Sequence, residues 1–516
     1  MKFGIFKKSM FFITAVITAA LSFTAGVSAS AFETGTEYNI VYYSGQESFS
    51  LWITKDGTLY SAGEGSVGQL GTGKTRNFFN PKKILENIDF ASTGRDGFAF
   101  AVTKDGSLYS WGSNKYGELG NGADYNVDTS TNFVSVPTII GFDGRIKDIK
   151  CGKSFALILT NNGDVFAAGS NRYGQLGNPS LGNDKDSIQN VFKKIDGNLF
   201  DNKKITAISA CENTSFALTE DGEIYSFGDN YYGELGIGES ERNVYKTSPV
   251  KIESLPKIKK ISSFVTTCMA LDYDNNVFVW GNNNSRQLGI FELSDSESES
   301  KISFSISPVE LSLFYNKNGE EVKNTKITDI QCGGLTNFIL DENGKVYSFG
   351  QGGTGDAGFN VQSNAVLNKY KNKIQSNNVL VPLEITFYEP IDIYSLYNGS
   401  DVTEAQKEQS PVDASKQIEV KTTEFLGSCG ARTFLKDENG KIWSYGNNTS
   451  TQACSGDANT VYLPVRSTLY RVQNYDVDYV EKDYLTKPII TLCVLLALLA
   501  VFIIKTEIKN KKTEKD

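Results

Sequence analysis

The sequence predicts an all-β fold, a seven-bladed β-propeller, with an N-terminal signal peptide and one C-terminal transmembrane helix. Three observations carry this prediction. A glycine-rich phrase recurs seven times along the chain. In most copies an Asp-Gly or Asn-Gly pair separates two β-prone runs, and helical periodicity is almost absent from the repeats. Such recurrence means an array of supersecondary units, none of which buries its apolar face alone.

The first element in chain order is a leader. Lys2, Lys7 and Lys8 precede an apolar run from Met10 to Ala25 and the small residues Val27, Ser28, Ala29, Ser30 and Ala31. This is the pattern of a secretory signal over residues 1–31, cleaved after Ala29 or Ala31. The propeller is expected over residues 36–473. Its phrase reads DGTLYSAGEGSVGQLG from Asp56, DGSLYSWGSNKYGELG from Asp105, NGDVFAAGSNRYGQLG from Asn162 and DGEIYSFGDNYYGELG from Asp221. It degrades in the copies that start at Asp274, Asn343 and Asn439.

Each unit has a physical reading. Asp105-Gly106, Asn162-Gly163 and Asp221-Gly222 are tight-turn signals between apolar stretches. FAFAVT (Phe98 to Thr103) and FALILT (Phe155 to Thr160) precede such turns, and LYSWG or IYSFG follows. The pleat puts Leu108 and Ser110 on one face of the strand, Tyr109 and Trp111 on the other. Runs such as SPVKIE (Ser248 to Glu253) and SPVELS (Ser307 to Ser312) supply an outer strand, giving about four strands per blade.

These repeats resemble the regulator of chromosome condensation repeat family. The resemblance rests on Cys151-Gly152, Thr160 to Gly163, Phe166, Gly169, Asn171 and Gly174-Gln175-Leu176-Gly177, and it covers roughly Tyr38 to Arg471. It implies a seven-bladed propeller. The family often carries a histidine just before the first apolar strand. This chain has no histidine, and Phe155, Thr214 and Thr336 stand at that place.

Two irregular segments and the C-terminal end complete the chain. Leu293 to Lys301 is acidic and serine-rich, the composition of a solvated loop. Residues 359–424 form a long insertion, β-like over Val379 to Tyr388 and polar from Asn398 onward. A stalk at 474–487 leads to an uncharged apolar run at 488–504, near the lower limit of about 17–25 residues for a spanning helix. Lys487 and Lys505 flank it, and the lysine-rich tail at 505–516 places that end in the cytoplasm.

Charge and residue usage narrow the function. The formal net charge is −9, and since leader and tail are basic, the propeller is more acidic still. Such a domain repels nucleic acid, whose binding rests on clustered Lys and Arg. Cys151, Cys211, Cys268, Cys332 and Cys429 fall at nearly the same place in successive repeats, too far apart for disulfides, and read as buried thiols. Cys493 lies in the apolar C-terminal run, and Cys454 sits in the last motif loop, free or paired. Without histidine or a CxxC pair there is no zinc-type site, no Ser-His-Asp arrangement and no cofactor motif. GEGSVG (Gly63 to Gly68) lacks the Lys-Ser or Lys-Thr of a phosphate loop.

The expected function is therefore binding. A propeller outside the cell, held by one C-terminal helix, reads as a protein–protein interaction module, a surface receptor or scaffold without catalysis. Tyr116, Tyr173, Tyr231 and Tyr232 occupy the variable positions of the motif loop and either anchor a protein partner or pack on their own blades. Two alternatives remain: guanine nucleotide exchange on a small GTPase, as in the nuclear family member, and a carboxylate-based enzyme acting on surface glycans.

Overall fold

The computed structural model describes residues 40–466, apart from 47, 124–131, 183, 185–186, 240–243, 291–301, 354–356, 360–362, 371–372, 376, 391–411, 430–431 and 447–460. The signal at 1–31, the stalk, the apolar run at 488–504, the tail, the acidic loop at 293–301, residues 398–411 of the insertion, Cys454 and Cys493 lie outside the described residues. The rest of the insertion's polar half includes a strand, Val412–Ile418, paired with Phe387–Pro390. No helix among the described residues is long and apolar enough to cross a membrane.

Each regular repeat folds as an antiparallel four-stranded meander. The third blade runs Ile146–Cys151, Phe155–Thr160, Val165–Ser170 and Ile188–Lys194 from inside to outside. The second strand is buried along its whole length here and in Phe98–Thr103 and Thr214–Thr219. Both of its faces meet neighbouring sheets, which is why these runs are apolar on both faces or, as at Thr214 and Ser215, carry hydroxyls bonded to backbone carbonyls. The inner strand is only partly buried, with Ile146 and Ile149 buried and Lys147 exposed.

The expectation of seven four-stranded blades is corrected. Six sheets have four strands, and the sheet of the sixth repeat has seven. Its core strands are Ile327–Cys332, Thr336–Asp341 and Val346–Gln351, followed by Asn378–Glu384. A hairpin from the preceding connection, Phe314–Tyr315 with Glu321–Val322, then adds to Asn378–Glu384. The short strand Ile374–Gln375 pairs with it as well. The cause is apolar. Tyr315, Phe359, Tyr370, Val379 and Leu383 share one buried cluster, so the insertion at 359–424 supplies the sheet's own outer layer. Phe387 continues that cluster onto Trp443 of the last blade, ring to ring at 5.3 Å.

From the sequence, the β-prone run around Tyr38 to Tyr43 predicts closure of the ring by pairing into the blade of the last repeat, and the structure differs. Ile40–Gly45 instead pairs with Phe49–Thr54 as the inner strand of the first blade, Tyr43 opposite Trp52. Among the described residues, no strand of the first blade pairs with the last, Thr422–Cys429 onward, and the two meet by packing. The Tyr43 ring lies 4.1 Å from that of Phe434. Gly427 backs onto Tyr43, where a Cβ would come within 2.8 Å of the ring. The short turn after Gly45, with Gln46 N–H donating to the Phe49 carbonyl at 2.9 Å, ties Ile40–Gly45 to its own blade.

Each outer strand breaks register beside the glycine at or next to the end of the third strand, and the first blade's breaks again near Leu59. In the second blade Gly112 faces Val134 and Ser110 faces Thr138, leaving Pro137 in the bulge between. The first, fourth and fifth blades hold Pro81, Pro249 and Pro308 in that bulge, and the large sheet and the last blade hold Pro382 and Pro464. The third blade carries Phe192 instead, its ring 5.7 Å from Phe100 and 6.1 Å from Phe142.

The thiols need one correction. Cys151, Cys211, Cys332 and Cys429 end inner strands, but Cys268 lies within the second strand of its blade, Thr267–Asp272. Cys211, Cys268 and Cys332 are buried and unpaired, and Cys151 is unpaired and half-buried.

Because the seam between first and last blades holds no exchanged strand, it rests on ring packing. Replacing Tyr43 by alanine should cost about 3–4 kcal/mol in urea unfolding. Amide exchange of Ile40–Gly45 should accelerate ahead of the other inner strands. Uniform acceleration around the ring would contradict this.

Candidate functional site

Strand alternation brings two kinds of loop to one face. The turn between inner and second strands and the motif loop after the third strand lie at the same end of each blade. They are stitched together by Ser113 N–H to the Gly97 carbonyl (2.8 Å), Ser170 N–H to Ser154 (3.0 Å) and Asp229 N–H to Asn213 (3.0 Å). Thr214 and Thr336 add hydroxyl donors to the carbonyls of Asp229 and Gln351, at 2.8 and 2.7 Å.

The motif residues explain one another. In the third blade the buried Asn171 side chain accepts Leu176 N–H at 2.9 Å, and Leu176 itself is buried. Gln175 Oε1 accepts Tyr173 N–H at 2.8 Å. The Gln175 carbonyl accepts the Ser215 hydroxyl of the next blade at 2.7 Å. Gly174, at φ +82°, lies against the next blade's outer strand, where a Cβ would fall 2.6 Å from Thr247 Cα. Only glycine meets both demands. The same asparagine-to-leucine bond recurs at Asn114–Leu119, Asn230–Leu235 and Asn283–Leu288, at 3.0–3.1 Å. Trp111 and Trp280 Nε1 reach back to the carbonyls of Gln69 and Glu234, at 2.9 and 2.7 Å. The phrase thus fastens each blade to the next.

The four tyrosines sit on this face, on consecutive blades, and do not converge on one pocket. Tyr231 is exposed, while Tyr116, Tyr173 and Tyr232 are half-buried. Lys115 Nζ lies 5.3 Å from the Tyr116 ring and the Arg172 guanidinium 5.7 Å from Tyr173. Tyr231 and Tyr232 meet edge to face at 4.7 Å. Sequence reasoning missed a charged network nearer the centre. Glu212 pairs with Arg95 and with Lys153 (2.9 Å), and the Ser154 hydroxyl donates to Asp96. Burial holds the Asp96 and Asp229 carboxyls above the usual range. The only sequence signal for this network is charge at the turn positions ahead of the buried strands. Among the described residues no three metal-ligating side chains form a group that could hold an ion.

An all-β ring of antiparallel blades, each fastened to the next by a glycine-rich loop, defines a repeat propeller. The chain belongs to the RCC1-like repeat family: residues 92–381 match the RCC1-like domain, and residues 56–93 match the Regulator of chromosome condensation (RCC1) repeat. It is 34% identical over 322 residues to the human probable E3 ubiquitin-protein ligase HERC4, covering 61% of this chain and 27% of that protein. To the ultraviolet-B receptor UVR8 of Arabidopsis thaliana it is 31% identical over 216 residues, 42% of this chain and 43% of that one. The matched region therefore spans about a quarter of the ligase's length. Among solved structures, yeast RCC1 (Prp20) bound to Kap60 superposes with a TM-score of 0.60 at 20% identity, covering 87% of this chain and 90% of that one. Human WBSCR16 superposes at 0.58 and 21% identity, covering 80% and 94%.

Two fasteners use glutamate where their siblings use Gln69, Gln175 and Gln287. Glu118 is buried, accepting Tyr116 N–H and the Ser113 hydroxyl, both at 2.6 Å. Glu234 is buried and accepts Tyr232 N–H at 2.7 Å. Desolvation pushes Glu118 up to about 7 and Glu234 up to about 8. Folded values above the unfolded one mean stability that is fully present below about pH 4.3 and is lost as pH rises through these values. The wild-type protein should lose stability progressively as pH rises from about 5 to about 8. The double variant Glu118→Gln/Glu234→Gln should flatten that slope in melts monitored by circular dichroism. Parallel slopes for the two proteins would contradict the assignment.

Proposed function

We propose that this protein is a membrane-anchored, extracytoplasmic propeller that acts as a protein–protein interaction module, a surface receptor or scaffold without catalysis. The basic leader with its apolar run and small-residue cleavage site supports the compartment, and the apolar run at 488–504 supports the anchor. One observation carries the binding role. In the motif loop the tyrosine contributes only its backbone N–H to the fastener. Val67 and Ser285 make the same bond to Gln69 and Gln287, at 2.9 and 2.8 Å, with no ring at all. The rings on the second, third and fourth blades therefore exceed what the fold requires, and aromatic rings on a rigid loop face are the usual anchors of protein recognition. The yeast RCC1 propeller, seen with Kap60, is a relative in fold engaged by another protein.

Capture from surface extracts by the full chain, read by mass spectrometry, tests the role. Tyr173→Ser and Tyr231→Ala should each weaken binding of the captured protein by about 1–2 kcal/mol while leaving the melting temperature nearly unchanged. Equal capture by wild type and a Tyr173→Ser/Tyr231→Ala double variant, or turnover by the purified protein, would refute the reading.

A further inference from the structure

The third blade departs from its neighbours on the face opposite the motif loops. Outer strands there connect to the next inner strand by short links: residues 86–87 after the first blade, 141–145 after the second and 252–257 after the fourth. After the third blade the link is residues 195–204, folded around a 3-10 turn, Gly197–Phe200. The Asp196 carboxylate caps that turn by accepting Asn198 N–H at 3.0 Å. It ends in two successive left-handed residues, Asp201 (φ 53°) and Asn202 (φ 57°). Such a pair is uncommon away from glycine and needs surrounding structure to hold it. The Tyr225 hydroxyl supplies part of that hold, donating to Asp201 Oδ2 at 2.6 Å.

Between this turn and the Asn162–Val165 hairpin lies a cavity of about 270 Å³, room for about nine waters. Its charged walls are already paired: Lys194 with Asp164 at 2.7 Å, and Lys203 with Glu223. Three lining groups are not. The exposed amides of Asn162 and Asn202 and the exposed ammonium of Lys204 make no hydrogen bond or ion pair among the described residues, and the Lys204 stem crosses Gly163. The two amides offer donors and acceptors, and one cation lines the same cavity. Long repeat-specific links commonly carry the individuality of a repeat protein.

We propose that this cavity binds a small hydroxyl-rich molecule bearing one acid group, a sugar acid, with the hydroxyls on Asn162 and Asn202 and the carboxylate on Lys204. The paired walls hold the site open before the ligand arrives, and its position on the opposite face makes it independent of the motif-loop tyrosines.

The test uses the full chain with glucuronate, glucose and inorganic phosphate as probes, followed by saturation-transfer NMR. Glucuronate should bind saturably in the millimolar range, about fivefold or more tighter than glucose. Lys204→Gln should erase that difference. Asn202→Gly, which keeps the left-handed turn, should weaken both sugars, and melts of both variants should match wild type. Phosphate binding as tightly as glucuronate, with the same dependence on Lys204, would overturn the proposal in favour of a bare anion site. Absence of saturable glucuronate binding, or binding unaffected by both substitutions, would overturn it outright.

Discussion

The ring depends on one contact, repeated: the close approach of a motif-loop glycine to the outer strand of the following blade. At Gly117, Gly174 and Gly233 the backbones of two sheets come so near that any Cβ would sit inside Asn190, Thr247 or Ile306. All three glycines have positive φ, so space and conformation exclude other residues together. The remaining motif residues keep that approach in place. Asparagine satisfies the leucine amide, glutamine or glutamate satisfies the amide before the glycine, and leucine fills the seam. The signature seen in the sequence is the imprint of a joint between sheets rather than of a ligand site.

This division leaves the side chains that project from the joint comparatively unconstrained. A loop whose geometry is fixed by its backbone and three buried side chains accepts valine, tyrosine or serine at the projecting place with the same hydrogen bond. The polar groups nearer the axis behave differently. Arg95, Lys153 and Glu212 belong to three consecutive blades, so their ion pairs cross two seams at once. Their value lies in registering blades, since half-exposed ion pairs add little to stability singly.

Much of this architecture was legible in the sequence because it is local and repeated. Turn pairs such as Asn162-Gly163, the largely apolar second strands and the motif glycines each carry a short-range signal. What escaped was long-range or singular. Whether Ile40–Gly45 completes the last blade or begins the first is a question of pairing, and one β-prone run satisfies either. The added strands of the large sheet are only two residues long at Phe314–Tyr315, Glu321–Val322 and Ile374–Gln375, too short for any periodicity. Cys268 was misaligned because cysteines were matched to one another, whereas the threonines that begin the second strands, Thr214, Thr267 and Thr336, give the true register. The tyrosine positions were readable, but their exposure was not, since it depends on the neighbouring blade. The cavity beside the third blade was invisible because Asp201 and Asn202 adopt left-handed conformations that nothing in their identity demands.

The prolines in the outer-strand bulges have a bearing on how the molecule meets others. A sheet's last strand offers a row of amides to any passing extended chain, and such rows template aggregation and strand addition. A bulge twists that row, and a proline deletes one of its donors. Placed at the same register on the last strand of five four-stranded sheets, with the Phe192 ring at the third blade, these features leave those edges a poor template for another chain. Pro382 of the large sheet instead lies on a strand that further strands already cover. Many copies can then crowd side by side without zipping together. Lasting encounters are then steered toward the two loop-built ends.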